Sequence, residues 1–564
     1  MTSPLPYYIS TTFVYSPVMA VEPSHYPHTL PVSFAETYQK HFERSRVIRE
    51  KVLREMDPRP LTKTEINAIH NDTLHRIHHI NELQTVIDAH RPRHDSEIFE
   101  HLYDARVEFW FRFYRTFRIN DLPVEVLVNI FRFVAWASVT PPMSIAARLT
   151  LTSVCRLWRE VAISDSTLWN AIWFRDPPPF NRSLEWFARA GSTSLDIRIT
   201  DLQNYTFDGP TMADLLDKLF IKISQIRILL LILNGREATQ VALEKFHLFG
   251  AQKCPLALQR LEVHCYNKDP FPEYPVDSQF PPLFGGASLP SLKYVSLTGV
   301  YLDWKKSLLM NLTILDIRAV PFSQAPDLLH FRAMLANSPN LWKLCLHNGG
   351  PQWDGKCPAL TPISLPNLKV LVLAGFTVSY AMYLIFQIAA PNVRDLTLGN
   401  LVGEDYTPMY RNITMKARFP HIRILTFYSC EVVPDQWMVR WLTSMPELVY
   451  LRLLNIQPLF LYFFLNRADP PLRRQGIDKN NSVPPLTVVC PNLSVLDLQL
   501  VDPDAIIGWI THRQRLGRPI RKIYISEQMS DKMTVQHYKS MRELAPIFRL
   551  EYGAKTAEED ILQR

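Results

Sequence analysis

The sequence predicts an α/β chain in which a helical hairpin is followed by a stack of strand–helix units with one curved parallel sheet. Three observations carry this. A pattern of apolar-x-x-apolar-x-apolar recurs from residue 226 to residue 525, over more than half of the chain. Helix-like segments fill most of the gaps between its copies. Ahead of it, residues 119–175 carry apolar stripes at helical spacing behind a proline start.

Composition bounds the reading. Apolar residues are 47% and charged residues 20% of the 564, ordinary for a folded chain able to bury a sizeable core. A net charge of +7 with no dense Lys/Arg stripe gives no argument for nucleic acid. Proline outnumbers glycine, 44 to 17, which suits many element boundaries and stiff corners. The cysteines form no CxxC pair, and Cys265, Cys345 and Cys430 fall in apolar strand-like runs, so reduced cysteines and a cytoplasmic or nuclear location are expected. N-x-S/T tripeptides such as those at Asn71, Asn181 and Asn204 point the other way, but they matter only in a secreted protein. The first 30 residues lack a charged start followed by an apolar block. The longest apolar runs, 378–390 and 456–465, fall short of the ~20 residues that span a bilayer, so no membrane partner is expected.

Five sections follow from these shifts: a disordered proline-rich start, 1–35; a helical segment, 36–118; the hairpin, 119–175; the repeat array, 190–552; and a frayed tail, 553–564. In the second section Ile66, Ile69, Ile77, Ile80, Leu83 and Ile87 lie near heptad spacing, with Thr62 or Thr64 placed to cap. They fit a coiled coil or, better, a helix lying on the next domain. His75 and His79 are four apart but lack a third ligand, so no metal is expected. The aromatic run from Phe99 to Phe117 interleaves with arginines, as single-stranded nucleic-acid binders do, yet its helical spacing fits core packing better.

The hairpin opens at Asp121-Leu122-Pro123-Val124-Glu125. Proline suits the first helical turn because its missing N–H would be unpaired there. Leu127, Ile130, Phe131 and Val134 then form one stripe. Pro141 and Pro142 break the chain. A second helix places Ala147, Leu151, Val154, Trp158 and Val161 on one face, and Leu168, Trp169 and Ile172 form a third cluster. So many apolar residues on so small a hairpin would expose a patch of the kind that marks a protein interface.

In the array, Leu312-Leu315-Ile317, Leu341-Leu344-Leu346, Leu368-Leu371-Leu373 and Leu493-Leu496-Leu498 are typical copies. The L-x-L part alternates, as a strand with one buried face does. Segments 327–337, 378–390, 435–445 and 504–516 read as intervening helices, and 458–489 as an insertion. One unit cannot bury its own apolar face, but a stack of them can. The residues between the apolar positions then share the opposite face: Arg260, Glu262, His264, Tyr294, Asp316, Arg318, Lys343, His347, Asp395, Tyr428, Tyr450, Arg452, Asp497 and Tyr524. Charged and aromatic groups on rigid strands suit recognition of a protein.

Two resemblances follow. The array resembles leucine-rich repeats, with recurrent lead-ins at Ser338-Pro339-Asn340-Leu341, Leu365-Pro366-Asn367-Leu368, Ala390-Pro391-Asn392-Val393 and Cys490-Pro491-Asn492-Leu493. The asparagine ladder that usually follows the strand is mostly missing. The hairpin, with Leu122-Pro123, Ile130-Phe131, Val154-Cys155-Arg156-Leu157-Trp158-Arg159 and Leu168-Trp169, resembles the F-box, and the whole arrangement resembles the large fungal F-box families. The fold so implied is an N-terminal helical F-box hairpin followed by a leucine-rich-repeat-like solenoid. The resemblance implies docking on the Skp adaptor of a cullin ligase through Leu122, Pro123, Ile130, Phe131, Val154, Cys155 and Trp158, with the strands holding an unknown protein substrate. No phosphate loop, G-x-S-x-G or H-E-x-x-H occurs. The expectation is therefore a substrate receptor of an SCF-type ligase with no catalytic residues, metal or cofactor. A non-catalytic repeat scaffold that acts without ubiquitination, and an α/β enzyme of unrecognised site, remain as alternatives.

Overall fold

The computed structural model describes residues 62–90, 97–116, 119–137, 141–201, 205–252, 255–266, 279–356, 360–402, 406–416, 418–430, 436–456, 489–550 and 555–563, together with 43, 46, 47 and 50. The expected disordered start, Cys254, Cys357 and nearly all of the 458–489 insertion lie outside them. The chain forms two compact units, residues 1–131 and 132–564.

In the first unit, α1 (Lys63–His90) pairs with α2 (Glu97–Thr116). Thr62, not Thr64, caps α1. Its Oγ1 accepts the Glu65 N–H at 3.4 Å while Glu65 Oε2 accepts the Thr62 N–H at 2.8 Å, a reciprocal capping box. The pairing is antiparallel: Arg76 reaches Glu108 at 2.6 Å, and Arg106 donates to Gln84 at 2.9 Å. The facing row of α1 runs through Ile69, Thr73, Arg76, Ile80, Leu83 and Ile87, while Ile66 and Ile77 are exposed. The expected heptads are thus real in spacing but shifted, and their partner within this unit is α2. Phe109, Trp110 and Phe113 cluster along α2 with ring centroids 5.3–5.8 Å apart.

Helix α3 (Val124–Trp136) runs from the first unit into the second. There α4 (Pro141–Ser153) and α5 (Arg156–Ser164) pack together. The sequence suggested one helix here. The chain instead breaks at Cys155, whose extended backbone makes it the N-cap of α5 and whose Sγ accepts the Trp158 N–H at 3.5 Å. Pro141 opens α4, so the double proline starts a helix as well as ending one.

A single sheet then follows the chain. Its strands are β1 (Ala171–Phe174), β2 (Leu195–Thr200), β3 (Ile226–Leu233), β4 (Arg260–Cys265), β5 (Tyr294–Thr298), β6 (Ile314–Arg318), β7 (Lys343–His347), β9 (Val370–Ala374), β11 (Asp395–Gly399), β12 (Ile424–Tyr428), β13 (Tyr450–Leu454), β14 (Val495–Gln499), β15 (Lys522–Ser526) and β16 (Ile547–Leu550). Among the described residues the sheet has 14 strands, every neighbouring pair is parallel, and spatial order equals sequence order. Each copy of the sequence pattern supplies one strand. Two small strands, β8 (Ile363–Ser364) and β10 (Ile388–Ala389), pair separately.

The sheet starts earlier than the expected residue 190. Ile172, grouped with the hairpin by its hydrophobicity, lies on β1, which pairs with β2. Strand β1 has only four residues and no lead-in phrase, so nothing local marks it as part of the array.

Two apolar rows run across the sheet in register. One passes Leu315, Leu344, Leu371, Leu396, Leu425, Leu451 and Leu496; the other passes Ile317, Leu346, Leu373, Leu398, Phe427, Leu453 and Leu498. All are at most 2% exposed, so this is where the core sits. Helices between strands cover this side: α6 (Asn181–Arg189), α7 (Gly209–Leu219), α8 (Arg236–Gln252), α9 (Leu328–Ala336), α10 (Val378–Gln387), α11 (Thr407–Met415), α12 (Gln436–Thr443), α13 (Pro503–Arg515), α14 (Glu527–Lys532) and α15 (Val535–Leu544). Phe427 of β12, for example, meets Trp441 of α12, which stacks on Tyr410 of α11. Asp327, Thr377 and Asp502 cap α9, α10 and α13 through their side-chain oxygens.

Two ladders hold successive units in register. Before the strands, Asn367, Asn392 and Asn492 donate side-chain amides to the carbonyls of Pro339, Pro366 and Pro446, at 3.1, 2.9 and 2.8 Å. Pro339 and Pro366 belong to the preceding lead-ins, and Pro446 holds the same place two residues ahead of Leu448. Immediately after the strands, Gly299, Ala319, Asn348, Gly375, Asn400, Ser429 and Asn455 all have positive φ. Their N–H groups donate to the last carbonyl of the next strand, at 2.7–2.9 Å. Main-chain groups therefore do at the strand ends what a side-chain asparagine ladder would do. Glycine and asparagine recur there because they tolerate the left-handed conformation.

Finally, α16 (Ala557–Gln563) is not frayed. Thr556 and Glu559 form a capping box, with N–H···O distances of 3.0 and 3.4 Å. The helix lies on the sheet face opposite to the other helices, as its partners show below.

Candidate functional site

Two surfaces hold the residues singled out in the sequence. On the helical motif, Leu127, Phe131 and Ala135 are wholly buried along α3. Of the expected adaptor contacts, Leu122 and Ile130 are half-buried and Pro123 is exposed. Phe131 is internal in this chain. Val154 is 54% exposed, and Cys155 and Trp158 are half-buried at the start of α5. Four residues of the motif in the second unit that were not among those expected also present apolar surface: Phe133 at 75% exposure, Met143, Leu149 and Trp136. Their signal was in the sequence as the second, non-stripe apolar positions of α3 and α4. One stripe is enough to explain a helix, so spacing alone does not single these positions out.

Beneath these helices the motif is tied to the sheet. Arg148 of α4 is 4% exposed and lies between the rings of Trp136 and Trp186, 4.5 and 5.0 Å from their centroids. Its guanidinium donates to Ala171 O of β1 at 2.7 Å and to Ser144 Oγ at 3.0 Å. Burial lowers its pKa to about 10. Arg132 makes a two-pronged pair with Asp165, both bonds 3.0 Å, and Asp165 caps the turn before Trp169. Trp169 Nε1 donates to Ala162 O at 2.8 Å, which closes α5 onto the start of the sheet.

The second surface is the open sheet face. Registration puts all fourteen expected recognition residues on it, in three adjacent rows. Arg260, Tyr294, Lys343, Asp395 and Tyr450 share the first; Glu262, Asp316, Arg452, Asp497 and Tyr524 the second; His264, Arg318, His347 and Tyr428 the third. Strand alternation places them there, since every second residue points away from the leucine rows.

At the β4–β7 end these groups pair among themselves. Glu262 accepts from Arg260 at 2.6 Å and meets His264 at 3.2 Å, and His264 reaches Thr298 at 2.8 Å. Burial works to raise the Glu262 pKa, but the hydrogen bond of His264 and the charge of Arg260 hold it below its ordinary value. Arg318 binds Asp316 with two bonds, 2.7 and 2.8 Å. Beside them Cys345 is buried, and burial together with the Asp316 charge pushes its thiol up to about 12, so it is a packed thiol rather than a nucleophile. His347 meets Tyr428 OH at 3.3 Å, and burial and the charge of Arg318 lower its pKa.

At the β11–β15 end the face is occupied. Arg452 bridges Asp497 and Glu559 of α16, both at 2.6 Å. Tyr450 OH donates to Asp497 at 3.1 Å. Tyr524 OH donates to Glu558 at 2.7 Å, and Lys522 also pairs with Glu558. Gln563 Nε2 donates to Asp395 at 2.7 Å. Leu562 packs on a cluster of Ile424, Tyr450, Val495 and Tyr524. Five of the fourteen residues are thus in or beside the footprint of the chain's own C-terminal helix. Sequence reading missed this, although the Thr556-x-x-Glu559 capping signature was there to be seen.

Among the described residues no group of three His, Cys, Asp or Glu could hold a metal ion, and no helix is long and apolar enough to cross a membrane. Comparison with known families finds that residues 119–175 match the F-box-like family model, so the chain carries an F-box-like domain, inside the chain rather than at its N-terminus. No curated protein matches the chain.

Proposed function

We propose, from the F-box-like domain as premise, that this chain is the substrate-recognition subunit of an SCF-type ubiquitin ligase. The helical motif would dock on a Skp adaptor and through it on a cullin, and the remainder would be a leucine-rich-repeat-like solenoid that holds a target protein. The observation that carries this reading is that the F-box-like match ends with β1, the first strand of an all-parallel, sequential sheet with a polar and aromatic open face. The register of lead-in asparagines and left-handed strand ends supports the repeat assignment. In this role the chain is not an enzyme. It contributes proximity, by holding a target near transfer machinery on other subunits.

Affinity purification of the tagged chain, alongside Leu122→Ala plus Pro123→Ala, tests this. Adaptor and cullin should co-purify with the wild type and fall at least tenfold with the double variant. Their absence from the wild type sinks the reading. Their presence, with no partner changing in abundance or ubiquitination when the gene is deleted, favours the scaffold alternative.

A further inference from the structure

We propose that the open face over β11–β15 binds a short helix of a partner protein, one bearing two adjacent carboxylates and an apolar side chain four residues after the first. Helix α16 is its intramolecular stand-in. This rests on the reading of that face as the target-binding surface and names the chemistry it selects.

The argument starts from what α16 presents. Glu558, Glu559, Leu562 and Gln563 face the sheet, while Asp560 and Ile561 face solvent, Ile561 at 67% exposure. Each inward group meets a complement on a different strand: Glu558 meets Lys522 and Tyr524 of β15, Glu559 meets Arg452 of β13, and Gln563 meets Asp395 of β11. Leu562 fills the apolar cluster between them. Charge, apolar anchor and spacing therefore all match one helical face.

Helix α16 has seven residues, far fewer than the roughly 12–15 that hold a helix in water. Its helicity therefore depends on docking, which is what the proposal requires of an exchangeable ligand. Lifting it would take one carboxylate from Arg452, take Glu558 from Lys522 and uncover four apolar side chains. Buried polar groups left that way are costly, so a competitor must return the same groups in the same places. The leucine position favours a protein segment over a polyphosphate, which has no apolar anchor.

The test uses the full chain. Glu558→Ala, Glu559→Ala and Leu562→Ala together lift α16, and a fluorescein-labelled peptide of residues 555–564 serves as the probe. Fluorescence anisotropy should show the peptide binding the lifted variant at least tenfold more tightly than the wild type. Adding Lys522→Glu, or replacing leucine by alanine in the peptide, should remove binding. If the lifted variant keeps its circular dichroism and melting temperature yet does not bind the peptide, or if the wild type binds it equally, the proposal is overturned. Adaptor capture from the same samples reads the ligase reading separately. Capture without peptide binding sinks only the groove; peptide binding without capture sinks only the ligase assignment.

Discussion

Arg148 of α4 donates to the carbonyl of Ala171 on β1, the hydrogen bond that fastens the helical motif to the first strand of the sheet. It does so from between two tryptophan rings, Trp136 and Trp186. A buried cation needs such partners because its desolvation is otherwise uncompensated.

Arg148→Ala should therefore destabilise the second unit by about 3 kcal/mol, through the lost charged hydrogen bonds and the gap between two indoles. Arg148→Met, which refills much of the volume but satisfies nothing, should recover less than half of that. Chemical denaturation followed by tryptophan fluorescence measures both. Equal stability of wild type and alanine variant would show that the pair of rings, not the arginine, holds the junction.

Gly250 sits inside α8, where helix propensity favours alanine by about 1 kcal/mol. The structure reverses that sign. A Cβ at this position would fall on the main chain of Phe284, which cannot move aside as a side-chain tip can. Gly250→Ala should cost about 2 kcal/mol, within the range of overpacked cores. A higher melting temperature for the variant would mean that α8 and residue 284 are not in close contact.

The two ladders predict opposite effects of small changes. Asn392→Ala removes the 2.9 Å bond to Pro366 and should cost about 1 kcal/mol. Ala319→Gly relieves a left-handed alanine, φ 51°, and should stabilise by up to about 1 kcal/mol. Urea midpoints of the two variants should move in opposite directions around the wild type.

Docking of α16 should depend on pH. Burial raises the Asp395 pKa to about 6 while Gln563 and the charge of Arg452 oppose the rise; Glu559 and Lys343 are the other charges that face it. A carboxyl with a raised pKa in the docked state favours docking when protonated. Docking is therefore stronger at pH 5 than at pH 7.5, by up to about tenfold. Glu558 works in the other direction. Against desolvation, hydrogen bonds from Lys522 and Tyr524 depress its pKa, so its contribution is lost only at more acidic pH. Release of C-terminal residues by a carboxypeptidase, compared at each pH with Asp395→Asn, reads the difference. A wild type whose pH profile parallels that of the asparagine variant would remove Asp395 from the switch.

Most of the fold was legible in the sequence because its determinants are local and periodic. Leu315, Leu344 and Leu371 mark strands by alternation alone, and Asp327 and Thr377 mark helix starts by capping chemistry. The motif at Leu122-Pro123 through Trp158 was legible for the same reason, and it falls inside the F-box-like match. Strand β1 was not, because four residues carry too little period to be told from a helical cluster. The break at Cys155 was not, because stripe residues at helical spacing continue across it.

What the sequence determined by itself is which residues share a face: period two puts the fourteen polar and aromatic positions opposite the leucines. What only the tertiary structure decided is which of those positions are open. Asp395 and Gln563 are 168 residues apart, and no local rule connects them. Their meeting depends on the summed rise of the strands from β11 to β16 and on where the chain returns, a long-range outcome of packing that propensity and spacing do not encode.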